Sequence, residues 1–396
     1  MLSDVQVLAA GIGPRGTGTS GEEAAADFVA QRLLALGLQV ERQTFRAVAS
    51  QNAFPLAIDL VALLAIAIYS FGGSLGRWVG AGLALTTAPL LWQTIRTSNS
   101  PLRLLLPKVI SRNVVARIEP QGKVHQRTVL LSHIDTNRCR IAWQSSAVRS
   151  LEPLTYLTLA ILASLGLLYL FGALLGGPKW VWWASLLPAG YVVGTVITLW
   201  KDDRVPYTPG AHDNAASVAV ALEVGARLAA QPLDRTQVWL AFTGAEETDH
   251  AGLYMLLRRY GSILREATFI GLEGLGSGEL VYLTRQGLCA HYTPDADLQS
   301  LAATIAAQRP ELGVRAAQMT GEDEVGTLRR FGYRAICLAG CDPASGTLPH
   351  WHRPDDTVET ISSEFMERAA DLMMALLEAI DDQAVCSQEE DPCGHL

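Results

Sequence analysis

Four long apolar runs, grouped as two tight pairs, set the first limit on how this chain folds. Phe54–Phe71 and Trp78–Ile95 are separated only by Gly72-Gly73-Ser74-Leu75-Gly76-Arg77, and Pro153–Leu175 and Trp180–Trp200 only by Gly176-Gly177-Pro178-Lys179. Each run approaches the roughly 20 apolar residues that a helix needs to cross a bilayer. Trp78, Trp92, Trp180, Trp182, Trp183 and Trp200 lie near the run ends, where amphipathic rings favour the membrane–water boundary. The expectation is two transmembrane helical hairpins, residues 54–95 and 153–200, four helices in all. Asp59 interrupts the first run, and a carboxyl there calls for a neighbouring helix or a polar cavity. Gly190 and Gly194 have the spacing that allows close helix packing.

A hairpin leaves and returns on one side, so residues 1–50, 97–150 and 201–396 are free to fold together as one soluble domain. Basic residues crowd that side, among them Arg96, Arg103, Lys108, Arg149, Lys201 and Arg204, against only Arg77 and Lys179 at the two tips. The positive-inside rule then puts the soluble domain on the cytoplasmic side of an integral membrane protein. A charged fraction of 18% and a mean hydropathy of +0.21 fit a lipid bilayer as partner. A net charge of -8 without a basic block argues against nucleic acid. The six cysteines include no CxxC pair, so neither a zinc ribbon nor a small disulfide scaffold is indicated; Cys386 and Cys393 are placed either to bridge or to stay free thiols. Met1–Ala10 lacks the basic start and long apolar core of a signal peptide.

The soluble segments alternate strands with helices. Ser20 with Glu23 fits a capping box ahead of an amphipathic helix over 20–36, and Leu38–Gln43 alternates as a strand. Strands follow at Asn113–Ile118, Thr128–Ser132, Val238–Thr243, Thr268–Leu272, Glu279–Thr284 and Ala335–Ala339. Helices are expected after Asn214, near 250–260, 295–307 and 324–331, and over 362–380. That alternation means an α/β sandwich around a parallel or mixed sheet. Gly11, Gly13 and Gly16 spell GxGxxG, but no strand precedes them and Pro14 interrupts them, so a dinucleotide site is not expected.

Chemistry enters at the strand ends. Val238–Thr243 runs into Gly244-Ala245-Glu246-Glu247, two adjacent carboxylates whose joint ionisation is costly unless a cation relieves it. One can then ligate the ion while the other takes a proton. Thr128–Ser132 ends at His133-Ile134-Asp135, Thr268–Leu272 at Glu273, and Asp213 and His352 stand in turns. Singly, each reads as a satisfied histidine, a helix cap or a loop residue. In order, they spell His-x-Asp, Gly-Ala-x-Asp-Asn-Ala, Ala-Glu-Glu, Leu-Glu and His-x-Pro-x-Asp-Thr.

That five-part order resembles the co-catalytic zinc aminopeptidase family, with its glutamate carboxypeptidase and glutaminyl cyclase relatives, over about Ser20 to Ile361 without the hairpins. The resemblance implies a three-layer zinc-exopeptidase-like α/β sandwich with a mixed central sheet, and two zinc ions per chain. His133 and Glu273 would bind one ion, Glu247 and His352 the other, with Asp213 bridging, Glu246 as general base and Asp135 orienting His133. It further implies a cis peptide at Asp213-Asn214 and a peptide substrate. The sequence departs from the family at Glu273, where Asp is commoner, and at Gly321–Val325, where Ser-Asp-His is common. Glu324 fills the acidic place there, a candidate to receive a substrate amine, while Val325 lacks the histidine. His350 is a rival ligand to His352. A carboxypeptidase would want an arginine pocket, for which Arg285, Arg329 and Arg330 are the candidates. The resemblance thus implies a membrane-anchored exopeptidase, most simply an aminopeptidase. A scaffold protein that kept the fold without turnover, and a single-zinc glutaminyl-cyclase-like acyltransferase, are the alternatives.

Overall fold

The computed structural model describes residues 1–97, 100–140 and 147–389. It divides into two units, one from Met1–Ala47, Val109–Cys139 and Tyr207 onward, the other from Val48–Lys108 and Arg140–Pro206. Cys393 lies outside the described residues.

In the first unit the β-branched and apolar runs assemble one eight-stranded mixed sheet. Its strands are β1 (Val40–Val48), β2 (Lys108–Ile118), β3 (Gln126–His133), β4 (Thr236–Thr243), β5 (Thr268–Glu273), β6 (Glu279–Gln286), β7 (Arg315–Met319) and β8 (Arg334–Cys341). Their spatial order is β1-β2-β4-β3-β5-β8-β6-β7. The centre, β4-β3-β5-β8, is parallel, while β2 on β4 and β6 on β8 are antiparallel. The sequence reading lacked β7, a five-residue outer strand whose pattern Arg-Ala-Ala-Gln-Met carries little apolar signal.

Helices cover both faces. After a short opening helix, α1 (Leu2–Val5), come α2 (Ser20–Ala35), α7 (Ser217–Ala230), α8 (Ala251–Tyr260), α9 (Ala296–Gln308), α10 (Glu324–Arg330) and α11 (Ser363–Glu389). The period-2 pattern of β4 shows why. Val238, Leu240 and Phe242 join the core shared with α2, α7 and α11, whereas Trp239 faces the other way against Tyr260 of α8, with ring centroids 5.1 Å apart. Each such burial contributes roughly 1.5–3 kcal/mol relative to exposure. The cap of α2 lies one residue earlier than Ser20 implies. Thr19 accepts from the Glu22 amide, and the buried Glu22 carboxylate accepts from the Gly18 amide at 2.7 Å. A hydroxyl stands at both 19 and 20, and the requirement to bury Glu22 rather than Glu23 decides between them.

The second unit is four helices: α3 (Ala53–Phe71), α4 (Gly73–Thr97), α5 (Val148–Leu174) and α6 (Lys179–Asp202). Each apolar run of the sequence is therefore helical. Among the described residues three of them, α3, α5 and α6, are long and apolar enough to cross a membrane. The expected fourth span, α4, is long enough, but Gly73, Gly76, Gly80, Gly82, Thr86, Thr87, Arg77 and Arg96 dilute its apolar character. Small residues line the interior, Ala62, Ala65, Ala81 and Ala84 among them. A Cβ on Gly80 would meet the Ala65 carbonyl oxygen at 2.7 Å, so glycine permits this close approach. Gly190 and Gly194 do not serve that purpose, since nothing lies within 4 Å of a Cβ at either. Asp59 is buried and accepts from the Thr195 hydroxyl of α6 at 2.7 Å. All six boundary tryptophans are substantially exposed.

Candidate metal centre and active site

Parallel pairing sets three strand ends side by side. His133 of β3 is in register with Thr243 of β4, and β5 runs parallel on the other side of β3 to end at Glu273. Such carboxyl ends are where α/β sheets gather their ligands. Beyond β4 the chain turns sharply, with Ala245 (φ 52°), Asp249 (φ 121°) and His250 (φ 48°) in the left-handed region. Polar side chains pin this turn by its amides. Glu22 accepts from Ala245 N at 3.1 Å, and the two oxygens of Asp135 accept from Glu246 N and Glu247 N at 3.1 and 3.2 Å.

Asp213 is held as firmly. Its peptide bond to Asn214 is cis, as expected, within the buried turn Ala211–Ala216 that enters α7. Asn214 donates to the Leu272 carbonyl at 2.9 Å and accepts from Gly274 N at 3.1 Å, tying the turn to the end of β5. Asp356 accepts from the amides of His212 and Asp213 at 2.6 and 3.2 Å. Arg15, inside the GxGxxG stretch, donates to five backbone carbonyls, those of Leu8, Gly13, Ile134, Pro209 and Gly210. It thereby stitches the His133 loop to the Asp213 turn, a role the sequence pattern did not disclose.

These supports bring together all five residues expected to ligate metal. His133 Nε2 lies 3.2 Å from Asp213 Oδ1 and 3.5 Å from Glu273 Oε2. On the other side, His352 Nε2 lies 3.3 Å from Asp213 Oδ2 and 3.2 Å from Glu247 Oε1. Donor atoms of His133, Asp213 and Glu273 all fall within 4.8 Å of one another, and so do those of Asp213, Glu247 and His352. His133, Glu246 and Glu247 make a third such group. The rival His350 pairs with Asp355 at 2.9 Å, outside these groups. The extra methylene of Glu273 does not keep it from the cluster.

Asp135 differs from expectation in detail. The Nδ1 atom of His133 meets the Asp135 backbone carbonyl at 3.1 Å and its carboxylate only at 3.6 Å. The carboxylate is already engaged by two amides and by the Thr17 hydroxyl at 2.9 Å. Glu324 is buried beside the cluster, with Oε2 accepting from Thr243 and, among the described residues, no hydrogen-bond partner for Oε1. Two further residues escaped the sequence reading. Asn137, four residues past His133, donates to Glu247 Oε2 at 2.7 Å, and His250 lies 3.3 Å from Glu246. Their signal was only that each follows a strand-end motif by a few residues.

So much buried acid is electrostatically unstable alone. Burial pushes Glu246 well above the usual carboxylate range, and the charges of Glu247, Glu273 and Glu324 add to this against the opposing pull of His133. Burial likewise raises Glu273 to about 7 and Glu324 to about 8. Burial lowers His352, yet Glu247 and Asp213 outweigh it and carry the imidazole up to about 9. His250, facing Arg330 and His133, is held down to about 3, chiefly by burial. A divalent cation in each triad removes the conflict, since it favours ionised carboxylate and neutral imidazole together. The donor chemistry fits: imidazole with carboxylate suits zinc, and the buried Asp213 presents Oδ1 toward His133 and Oδ2 toward His352.

Comparison with known proteins agrees with this geometry. Residues 202–377 match the profile of Peptidase family M28. Aminopeptidase YwaD of Bacillus subtilis (strain 168) is 27% identical over 183 residues, covering 44% of this chain and 38% of that protein. Endoplasmic reticulum metallopeptidase 1 of Rattus norvegicus is 31% identical over 204 residues, covering 47% and 21% respectively. The chain thus spans well under half the length of these relatives. The crystal structure of BSAP, a zinc aminopeptidase from Bacillus subtilis, superposes with a TM-score of 0.54 at 15% identity, covering 96% of this chain and 94% of that one. The strand-end cluster and the mixed sheet thus accompany a likeness to peptidase family M28 over residues 202–377 and to the fold of a zinc aminopeptidase over most of the chain.

Proposed function

We propose that this chain is a membrane-anchored, zinc-dependent exopeptidase that removes residues from peptide N-termini. The observation that carries the reading is the pair of donor triads sharing Asp213, with Glu246 beside them. His133, Asp213 and Glu273 would hold one ion, and Asp213, Glu247 and His352 the other. Two zinc ions so bound would polarise the scissile carbonyl and acidify a water molecule. Glu246 accepts the proton of the attacking water and returns it to the departing amine. Asn137 orients Glu247, and Asp135 fixes the amides of both glutamates.

Glu324 serves as receiver of the substrate's ammonium group, which its buried Oε1, unpartnered among the described residues, favours. An arginine pocket for a C-terminal carboxylate has less support. Arg329 pairs with Asp295, Arg330 pairs with Glu322, and Arg285 is exposed. The helical unit anchors the enzyme through its two hairpins, and the excess of basic residues on the domain side favours a cytoplasmic active site. Chelation followed by zinc titration, read with fluorogenic aminoacyl and carboxyl-blocked peptides, tests the whole reading. Recovery of aminoacyl cleavage at two zincs per chain supports it, and cleavage indifferent to chelator overturns it. Cysteine labelling at the hairpin tips from the cytoplasmic side would contradict the orientation.

A further inference from the structure

We infer that His250 is a positioning residue for the Glu246 carboxylate, itself oriented by the hydroxyl of Thr327. The inference rests on Glu246 being the proton acceptor proposed above. His250 is buried at the start of α8, with Nε2 3.3 Å from Glu246 Oε1 and Nδ1 2.9 Å from Thr327 Oγ1. When the Thr327 hydroxyl donates to Nδ1, the ring proton resides on Nε2 and faces the carboxylate. That contact occupies Oε1, while Oε2 lies on the His133 side, 4.0 Å from its Nε2. The two oxygens of Glu246 are thereby divided, one braced and one presented to the cluster.

The backbone supports a purpose for this histidine. His250 stands at φ 48° with its amide bonded to the Glu246 carbonyl at 3.0 Å, so the turn folds back on itself. Glycine or asparagine would adopt that conformation at less cost. Few residues other than glycine take up this region of backbone space, which draws attention to the side chain standing there. Thr327 lies on α10, the helix that also carries Glu324, and Thr243 reaches the same helix through Glu324 at 2.8 Å. The turn bearing the base and the helix bearing the proposed amine receiver are therefore joined at two points.

The test uses the full-length protein, a fluorogenic aminoacyl amide and a separate measurement of bound zinc. His250→Leu lowers kcat by about 10–100-fold while KM stays near its original value, and zinc content is unchanged. His250→Gln, which keeps an amide donor, restores most of the rate. Thr327→Val gives a smaller loss of about 2–5-fold. In a Glu246→Gln background, His250→Leu causes no further loss, because residues acting as one unit are not additive. A kcat within about twofold of the original in His250→Leu, a parallel loss of zinc, or multiplicative losses with Glu246→Gln overturns the inference. Should His250→Leu fail to fold, full activity in Thr327→Val overturns it and a reduced kcat at constant KM supports it. Glu246→Gln alone retaining full activity removes the base assignment instead, a failure readable without any His250 variant.

Discussion

In the sheet unit the large apolar side chains are inside: Leu130, Leu240, Phe242 and Ile270 have at most 1% exposure. In the helical unit Phe71, Leu167 and Leu187 are 87%, 62% and 84% exposed, while alanines and glycines fill the interior. The first pattern is that of a protein solvated by water, where burial of apolar area drives folding. The second suits a solvent as apolar as leucine, where helices associate through close backbone approach and hydrogen bonds. Polar groups follow the same division. The sheet unit gathers buried carboxylates and imidazoles at the carboxyl ends of its parallel strands, whereas Asp59 of α3 is met by a hydroxyl of α6.

The largest expected effect tests whether the chemistry belongs to the sheet unit. Glu246→Gln lowers kcat by about 100-fold or more with zinc content intact, and retained peptide cleavage would break that half of the comparison. Next comes burial. Leu240→Ala destabilises the sheet unit by about 2–5 kcal/mol, while Leu187→Ala changes stability by less than about 0.5 kcal/mol. Equal costs, measured by denaturation in detergent, would mean the two interiors do not differ as described.

A pH profile sharpens the electrostatic side. Burial raises Glu22 and Glu324 from 4.5 to about 8. A carboxyl with a raised folded-state pKa keeps its proton longer when folded. Between those values the folded state binds more protons, and stability falls as pH rises. The melting temperature of chelator-treated protein therefore declines from about pH 5 to about pH 8, and a flat or rising profile would contradict the burial. The smallest effect concerns the cap of α2. Thr19→Ala costs about 1 kcal/mol and Ser20→Ala less than about 0.5 kcal/mol, and the reverse order in thermal unfolding would restore the sequence reading.

The candidate site was legible because charged and imidazole side chains stand out at the ends of apolar strands and their order along the chain resembles one family's. His133, Asp213, Glu246, Glu247, Glu273 and His352 were named through the family resemblance that this order carries, and the fold brings the donor atoms of all six close together. The supports were not, because they depend on which atom of a loop residue arrives first. Nothing in His-x-Asp says whether the Asp135 carboxylate or its carbonyl meets the imidazole; that is settled by two amides that are more than 100 residues away in sequence. His250 and Asn137 were hidden for the same reason. In the helical unit the apolar runs gave the helices, but Gly80 and the open Gly190 look alike in sequence and differ only in what lies opposite.

Arg15 has a bearing on the newborn chain. Its guanidinium is nearly without solvent contact, and its five acceptors come from residues 8, 13, 134, 209 and 210. A cation in that place without its carbonyls is unfavourable, so the amino-terminal turn cannot settle until residue 210 has been translated. By then all four helices of the second unit have been synthesised, and Arg15 gains its last two acceptors only from chain beyond both hairpins.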